Sequence, residues 1–99
     1  MLYSLPALIK SFRHSGLEAF FLTGNKAGIQ APHSSRLRRQ LSQLNAARAP
    51  RDMNVPSWKF HPLVGKRTGE FAVSVSANWR LVFRFEDGDA ILVNYEDFH

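Results

Sequence analysis

EFAVSVSANWRLVFRFEDGDAILVNYED, residues 70–97, is the stretch from which the fold follows. From Glu70 to Ser76, Phe71, Val73 and Val75 alternate with Ala72, Ser74 and Ser76. From Trp79 to Phe85, Trp79, Leu81, Phe83 and Phe85 alternate with Arg80, Val82 and Arg84. A period of two marks strands that lay one face on a core. Asp87-Gly88 signals a tight hairpin turn, because glycine accepts positive φ. Ala90 to Tyr95 is then the returning strand, and the whole is an antiparallel meander. Arg80 and Arg84 share a parity, so they project from the same face.

Towards the N-terminus, Trp58 to Leu63 is expected as one more short strand, with Lys59 and His61 on a side opposite Trp58 and Phe60. Pro50 to Ser57, which holds two prolines, is a loop. Pro32 can open a helix that runs to about Ala47, since proline at the first helical position forfeits no hydrogen bond. Its Leu37, Leu41 and Leu44 fall at helical spacing, while Arg36, Arg38, Arg39, Gln40 and Gln43 lie mostly away from the core. Ser15 to Thr23 is a short helix with Leu17, Phe20 and Phe21 as its apolar face and Gly24 as its stop. Asn25 to Gln30 is a loop, and Ile9 to His14 is expected as a first strand. The fold class is α+β: a compact antiparallel sheet with two N-terminal helices packed on one face. The other face is left open for polar groups.

A chain of 99 residues holds one domain with a modest core, placed at 9–99. Residues 1–8 are expected as a disordered N-terminal extension. With so small a core, any site must lie on a surface or in a shallow groove.

The formal charge is +5, from 13 Lys and Arg against 8 Asp and Glu. Most of the basic residues are arginine, whose planar fork binds phosphate bidentately. A phosphate-backbone partner fits this balance, and so does an ordinary basic protein. The chain has no cysteine. That excludes disulfides, thiolate metal sites and cysteine nucleophiles, and it fits a reducing cytoplasm. No apolar run reaches the length of a membrane span. The opening MLYSLPALI lacks the basic region and cleavage site of a signal peptide. No His and carboxylate spacing stands out as a metal-ligand set, and no cofactor is expected.

RNA can be cut without a metal, because its own 2′-hydroxyl attacks the adjacent phosphate. The protein must take a proton from that hydroxyl, give one to the leaving 5′-oxygen, and offset charge on the phosphate. Histidine suits the proton transfers and arginine the phosphate. Histidine occurs at positions 14, 33, 61 and 99. Taken singly, His61 reads as a hydrogen-bonded structural histidine, Arg80 as a salt-bridged strand residue, and His99 as a chain end.

Their combination is more specific. His61-Pro62-Leu63 with Gly65, then Ser76-Ala77-Asn78-Trp79-Arg80-Leu81, Gly88-Asp89-Ala90 and Asn94-Tyr95-Glu96-Asp97-Phe98-His99 together resemble the HigB branch of the RelE/ParE toxin superfamily, the plasmid maintenance system killer proteins. The opening Ile9-Lys10-Ser11-Phe12-Arg13-His14 and Gly16-Leu17-Glu18 match as well, so the resemblance runs from about Ile9 to His99. It implies a RelE-like fold and the toxin of a type II toxin-antitoxin system. Such toxins enter the 30S A site of the ribosome and cleave mRNA as it is translated.

The resemblance also implies a site. His61, Arg80, Asp97 and His99 are its catalytic set. His61 and His99 would move protons, Arg80 would hold the scissile phosphate, and Asp97 would orient a histidine or the hydroxyl. Phe98 would stack on a base, with Arg84, Lys66 and Arg67 as further substrate-binding residues. Arg36, Arg38, Arg39 and Arg48 would meet ribosomal RNA, where the competing reading is a solvated helix face. The protein partner would be a HigA-like helix-turn-helix antitoxin, with DNA reached only through it, and no membrane is involved. The chain departs from the family at Phe98, where tyrosine is frequent, and at Val64, where lysine is common. Phenylalanine cannot pass a proton, so the acid role moves to His99. The family usually starts with methionine at the position of Leu8.

Two other readings compete. One is a catalytically weak binding module that serves with the antitoxin in operon co-repression. The other is an enzyme that cuts free RNA without the ribosome.

Overall fold

A computed structural model describes residues 8–98. Two helices come first, α1 (Ser15–Thr23) and α2 (Ser34–Ala46). Four strands follow: β1 (His61–Pro62), β2 (Phe71–Ser76), β3 (Trp79–Glu86) and β4 (Asp89–Asp97). They form one antiparallel sheet in the order β1-β2-β3-β4. This is the α+β arrangement that the alternation implies. The expected N-terminal extension lies outside the described residues except for Leu8, whose N–H donates to Asp89 Oδ1 at 3.2 Å.

The helices begin and end for local reasons. His14 caps α1, its Nδ1 accepting the Leu17 N–H at 2.9 Å. Gly24 closes α1 at φ 82°, a left-handed conformation that costs glycine little. Pro32 lies in a 3-10 turn, Ala31–His33, that leads into α2. Leu37, Leu41 and Leu44 of α2 join Leu17 and Phe20 of α1 on Val73, Val75, Leu81, Phe83, Val93 and Tyr95. Gln40, expected away from the core, is fully buried and donates from Nε2 to the Ser74 carbonyl at 2.8 Å. Its amide thus docks α2 on the edge of β2.

Two expected strands are corrected. Trp58 to Leu63 shrinks to His61–Pro62, because Ser57 (φ 74°) and Lys59 (φ 52°) turn left-handed and break the extended run. Lys59 and His61 therefore do not share a strand face. Where β1 is missing, the Ser74 N–H bonds the Trp58 carbonyl at 2.7 Å, and the Ser74 carbonyl accepts from Gln40 and from Arg36 Nε. Ile9 to His14 is not a strand either. It touches β4 in two isolated parallel bridges, Ile9↔Ala90 and Phe12↔Val93.

A bulge in β4 explains the second correction. Val82 pairs with Asn94 but Arg84 pairs with Ile91, so β4 carries one extra residue there. Leu92 sits in the bulge at φ 52°, and Ser11 Oγ takes its N–H at 2.8 Å. Such an insertion breaks the ladder and re-aims the strand. It moves burial from Ala90 to Val93 and Tyr95. The parity of Glu96 follows from this shift.

Directly opposed residues in an antiparallel pair point to the same face. The row His61↔Ala72↔Val82↔Asn94 and the row Ser74↔Arg80↔Glu96 thus lie together, on the face away from the helices. His61 and Arg80 stand two strands and one row apart, about 12 Å between Cα atoms by ordinary sheet spacing.

Candidate active site

The open face has an apolar floor and a charged cover. Ala72 and Val82 lie on this face and are buried all the same. Above them Arg67 reaches from the turn Gly65–Arg67 to Glu70 and, across the sheet, to Glu96 on β4. Arg67 Nη2 lies 2.8 Å from Glu70 Oε1 and 2.6 Å from Glu96 Oε2. The Arg67 guanidinium pulls the Glu70 carboxyl below its usual range. The two carboxylates in turn hold Arg67 as a cation even more firmly than usual. Arg84 lies over Gly69, which has φ 102°: a Cβ there would meet Arg84 Nη2 at 2.7 Å.

Arg80, the second residue of β3, projects from this face beside the turn between β2 and β3. Its Nη1 donates to the carbonyls of Ala77 at 2.7 Å and Trp79 at 3.1 Å. Nε and Nη2 make no hydrogen bond among the described residues, so one edge of the fork is open to a phosphate. The turn between β2 and β3 does double service. Ala77, at φ 49°, offers its carbonyl to Arg80, and the Asn78 carbonyl accepts the Phe98 N–H at 2.7 Å. The Phe98 ring then lies 5.9 Å from the guanidinium carbon of Arg80 and 5.6 Å from that of Arg67.

His61 is exposed at the edge of the same face. Its Nδ1 lies 2.9 Å from the Lys59 carbonyl, which can only accept. The proton of the neutral ring is therefore on Nδ1, and Nε2 presents a lone pair to solvent. The left-handed Lys59 that ends the expected strand brings that carbonyl within reach. Lys66 is exposed beside this edge, and Val64 is exposed on the near side of the turn.

The chain end divides. Glu96 pairs with Arg80 and Asp97 with Trp79, so Asp97 starts from the face of Trp79 and Tyr95. His99 lies outside the described residues. The helix arginines are scattered. Arg36 ties α2 to the carbonyls of Ser74 and Ser57, at 3.1 and 2.8 Å. Arg38 lies over the Phe20 ring at 5.5 Å, Arg39 bonds Ser35 Oγ at 3.3 Å, and Arg48 is exposed. Two depressions, of about 260 and 440 Å³, flank α2 and are lined by Arg38 and Ser42. Neither includes His61, Arg80 or Phe98. The open face is a surface, in keeping with the size of the chain.

Sequence reasoning did not find Glu70, Glu96, or the turn that seats both Arg80 and Phe98. Glu70 had a local signal, three residues from Arg67. Glu96 had none, being 29 residues from its partner. Nor did it find the pair of His33 and Tyr95 under the helices, with Nδ1 2.6 Å from the phenol oxygen. Burial lowers the pKa of His33 and raises that of Tyr95. Among the described residues no three His, Asp or Glu side chains are grouped to hold a metal ion, and no helix is long and apolar enough to cross a membrane.

Comparison with known proteins gives two matches. Residues 10–99 fit the family model of the RelE-like toxin of type II toxin-antitoxin system HigB. The chain is also 40% identical over 92 residues to the Endoribonuclease HigB of Proteus vulgaris, a match spanning 93% of this chain and all of that protein.

Proposed function

The chain belongs to the HigB-like toxin family, and on that premise we propose that its open sheet face cuts messenger RNA on the ribosome. The protein is an endoribonuclease toxin of a type II toxin-antitoxin system, with RNA as its target and a cognate antitoxin as its partner. The finer reading is that the antitoxin is a HigA-like helix-turn-helix protein and that cleavage needs the 30S A site.

The observation that carries the assignment is the open edge of Arg80 on the face that also bears His61 and Phe98. His61 Nε2 takes the proton of the 2′-hydroxyl. The 2′-oxygen bonds to phosphorus, and the bond to the 5′-oxygen breaks. The products are a 2′,3′-cyclic phosphate and a 5′-hydroxyl end. Arg80 offsets charge that grows on the phosphate, where a preorganised donor is most effective. Phe98 cannot donate a proton, so His99 protonates the leaving oxygen, and Asp97 orients a histidine or the hydroxyl. The base stacks on Phe98, a contact that tolerates any sequence. Lys66 and Arg84 supply positive charge along the strand path. The exposed arginines Arg38 and Arg39 of α2, with Arg48 just beyond it, face ribosomal RNA, while Arg36 is occupied within the fold.

The test is a chain that ends at Phe98. Expressed in cells, it should no longer cut translated mRNA or stop growth, while its circular dichroism and melting temperature match those of the full chain. Normal cutting by this truncation would remove His99 from the mechanism.

A further inference from the structure

We propose that Arg67 is a positioning residue that holds Phe98 against Arg80, and not a ligand of the RNA; the proposal rests on the open-face reading above. Four of the five N–H donors of its guanidinium are used. Nη1 donates to Glu96 Oε1 at 2.9 Å and Nη2 to Glu96 Oε2 at 2.6 Å. Nε donates to Glu70 Oε2 at 3.2 Å and Nη2 to Glu70 Oε1 at 2.8 Å. A phosphate that approached in the plane of the fork would meet two carboxylates against one cation. The local charge repels it.

The same guanidinium lies over the Phe98 ring, its carbon 5.6 Å from the ring centroid. A planar guanidinium fixed by two bidentate partners makes a rigid shelf for a ring. Glu96 is itself held by Asn94 Nδ2 at 3.1 Å, and the Glu70 N–H bonds the Arg67 carbonyl at 3.0 Å. The shelf is thus anchored at the start of β2 and on β4. The same ring reaches the Arg80 guanidinium at 5.9 Å. Loss of the shelf frees the Phe98 ring from its place beside the Arg80 guanidinium.

A double-mutant cycle tests this, with kcat/KM for cleavage of translated mRNA in a reconstituted translation system as the readout. Arg67→Ala and Phe98→Ala should each lower kcat/KM about tenfold, the scale of one lost stacking contact. The double variant should fall no more than about twofold below Phe98→Ala alone. Multiplied losses, about a hundredfold together, would mean that Arg67 acts apart from Phe98 and would overturn the proposal. Arg67→Lys keeps the charge and guards against misfolding. It should be nearly as impaired as Arg67→Ala, because an ammonium lacks the planar fork that holds both carboxylates in bidentate pairs. Full activity of Arg67→Lys would show that charge alone suffices and would also overturn it. A second readout is independent of catalysis. The Arg80 Nε–Hε resonance, shifted by the Phe98 ring current, should move in Arg67→Lys in the same direction as in Phe98→Ala. An unmoved resonance would contradict the shelf. If the wild-type chain cuts nothing, the functional reading fails, and the resonance decides the geometry by itself.

Discussion

The phenol oxygen of Tyr95 lies 2.6 Å from Nδ1 of His33 under the helical layer, and it also accepts the Gln30 N–H at 3.3 Å. With a donor already bonded to its oxygen, the hydroxyl proton is directed to His33. That bond suits a neutral imidazole, and burial lowers the His33 pKa in the same sense. The unfolded chain then binds the proton more readily than the folded one. Stability from this site is full above about pH 6.5, the ordinary histidine value, and is lost as pH falls through it towards the lower folded value. Urea unfolding at pH 7.5 and 5.5 should show a smaller folding free energy at the lower pH. The fall should be reduced in His33→Gln. The same fall in both proteins would place the proton uptake elsewhere.

Gly16 and Gly28 meet backbone to backbone where the loop after α1 turns back over the start of that helix. A Cβ on Gly28 would stand 2.4 Å from the Gly16 Cα, and one on Gly16 would stand 2.7 Å from the Gly28 Cα and carbonyl oxygen. Neither neighbour is a flexible side-chain end. Gly16→Ala and Gly28→Ala should each destabilise the fold by about 1–3 kcal/mol, as overpacking does. Because the loop leads to Gln30, the Tyr95 contact should loosen too. Thermal unfolding of both variants checks this, and unchanged melting temperatures would mean that the loop can move aside cheaply.

Leu92 occupies the β4 bulge at φ 52° with its side chain partly exposed. Left-handed backbone costs a leucine about 1–2 kcal/mol, and asparagine visits it more easily. Leu92→Asn should leave stability unchanged or raise it by up to about 1 kcal/mol. Leu92→Val, branched at Cβ, should lower it. The reverse order in denaturant melts would show that Leu92 is kept for a contact of its side chain and that the bulge does not need its backbone.

Much of the frame was legible in the chain. The alternation of residues 70–85 and the Asp87-Gly88 turn gave the meander, since a pleated strand with one buried face must repeat every two residues. The leucines of α2 and the Gly24 stop gave the helices. What escaped was backbone that breaks its own pattern. Ser57 and Lys59 cut short a strand that alternates well on paper. Leu92 inserts a residue in a run, AILV, that is apolar throughout and so hides its change of parity. In the site, Arg80 was legible because strand parity puts it on the open face. His61 shared that face for a different reason, its pairing with Ala72. The Arg67 clamp was not legible, because Glu96 comes near only through the order of the strands.

Arg80 is where the account is most exposed to test. Its hydrogen bonds end on the carbonyl of Ala77, in an exposed turn, and on that of Trp79, the first residue of β3, and among the described residues no charge partner is lost with it, so Arg80→Ala should fold with a nearly unchanged melting temperature. The decisive measurement is primer-extension mapping of cut sites in one reporter mRNA, with and without its start codon, in cells that express the wild type or Arg80→Ala. Cuts by the wild type are expected only in the translated message, and about 10²–10³-fold fewer with Arg80→Ala, the loss typical of one preorganised donor. Equal cutting by Arg80→Ala, or equal cutting of the untranslated message, would contradict this.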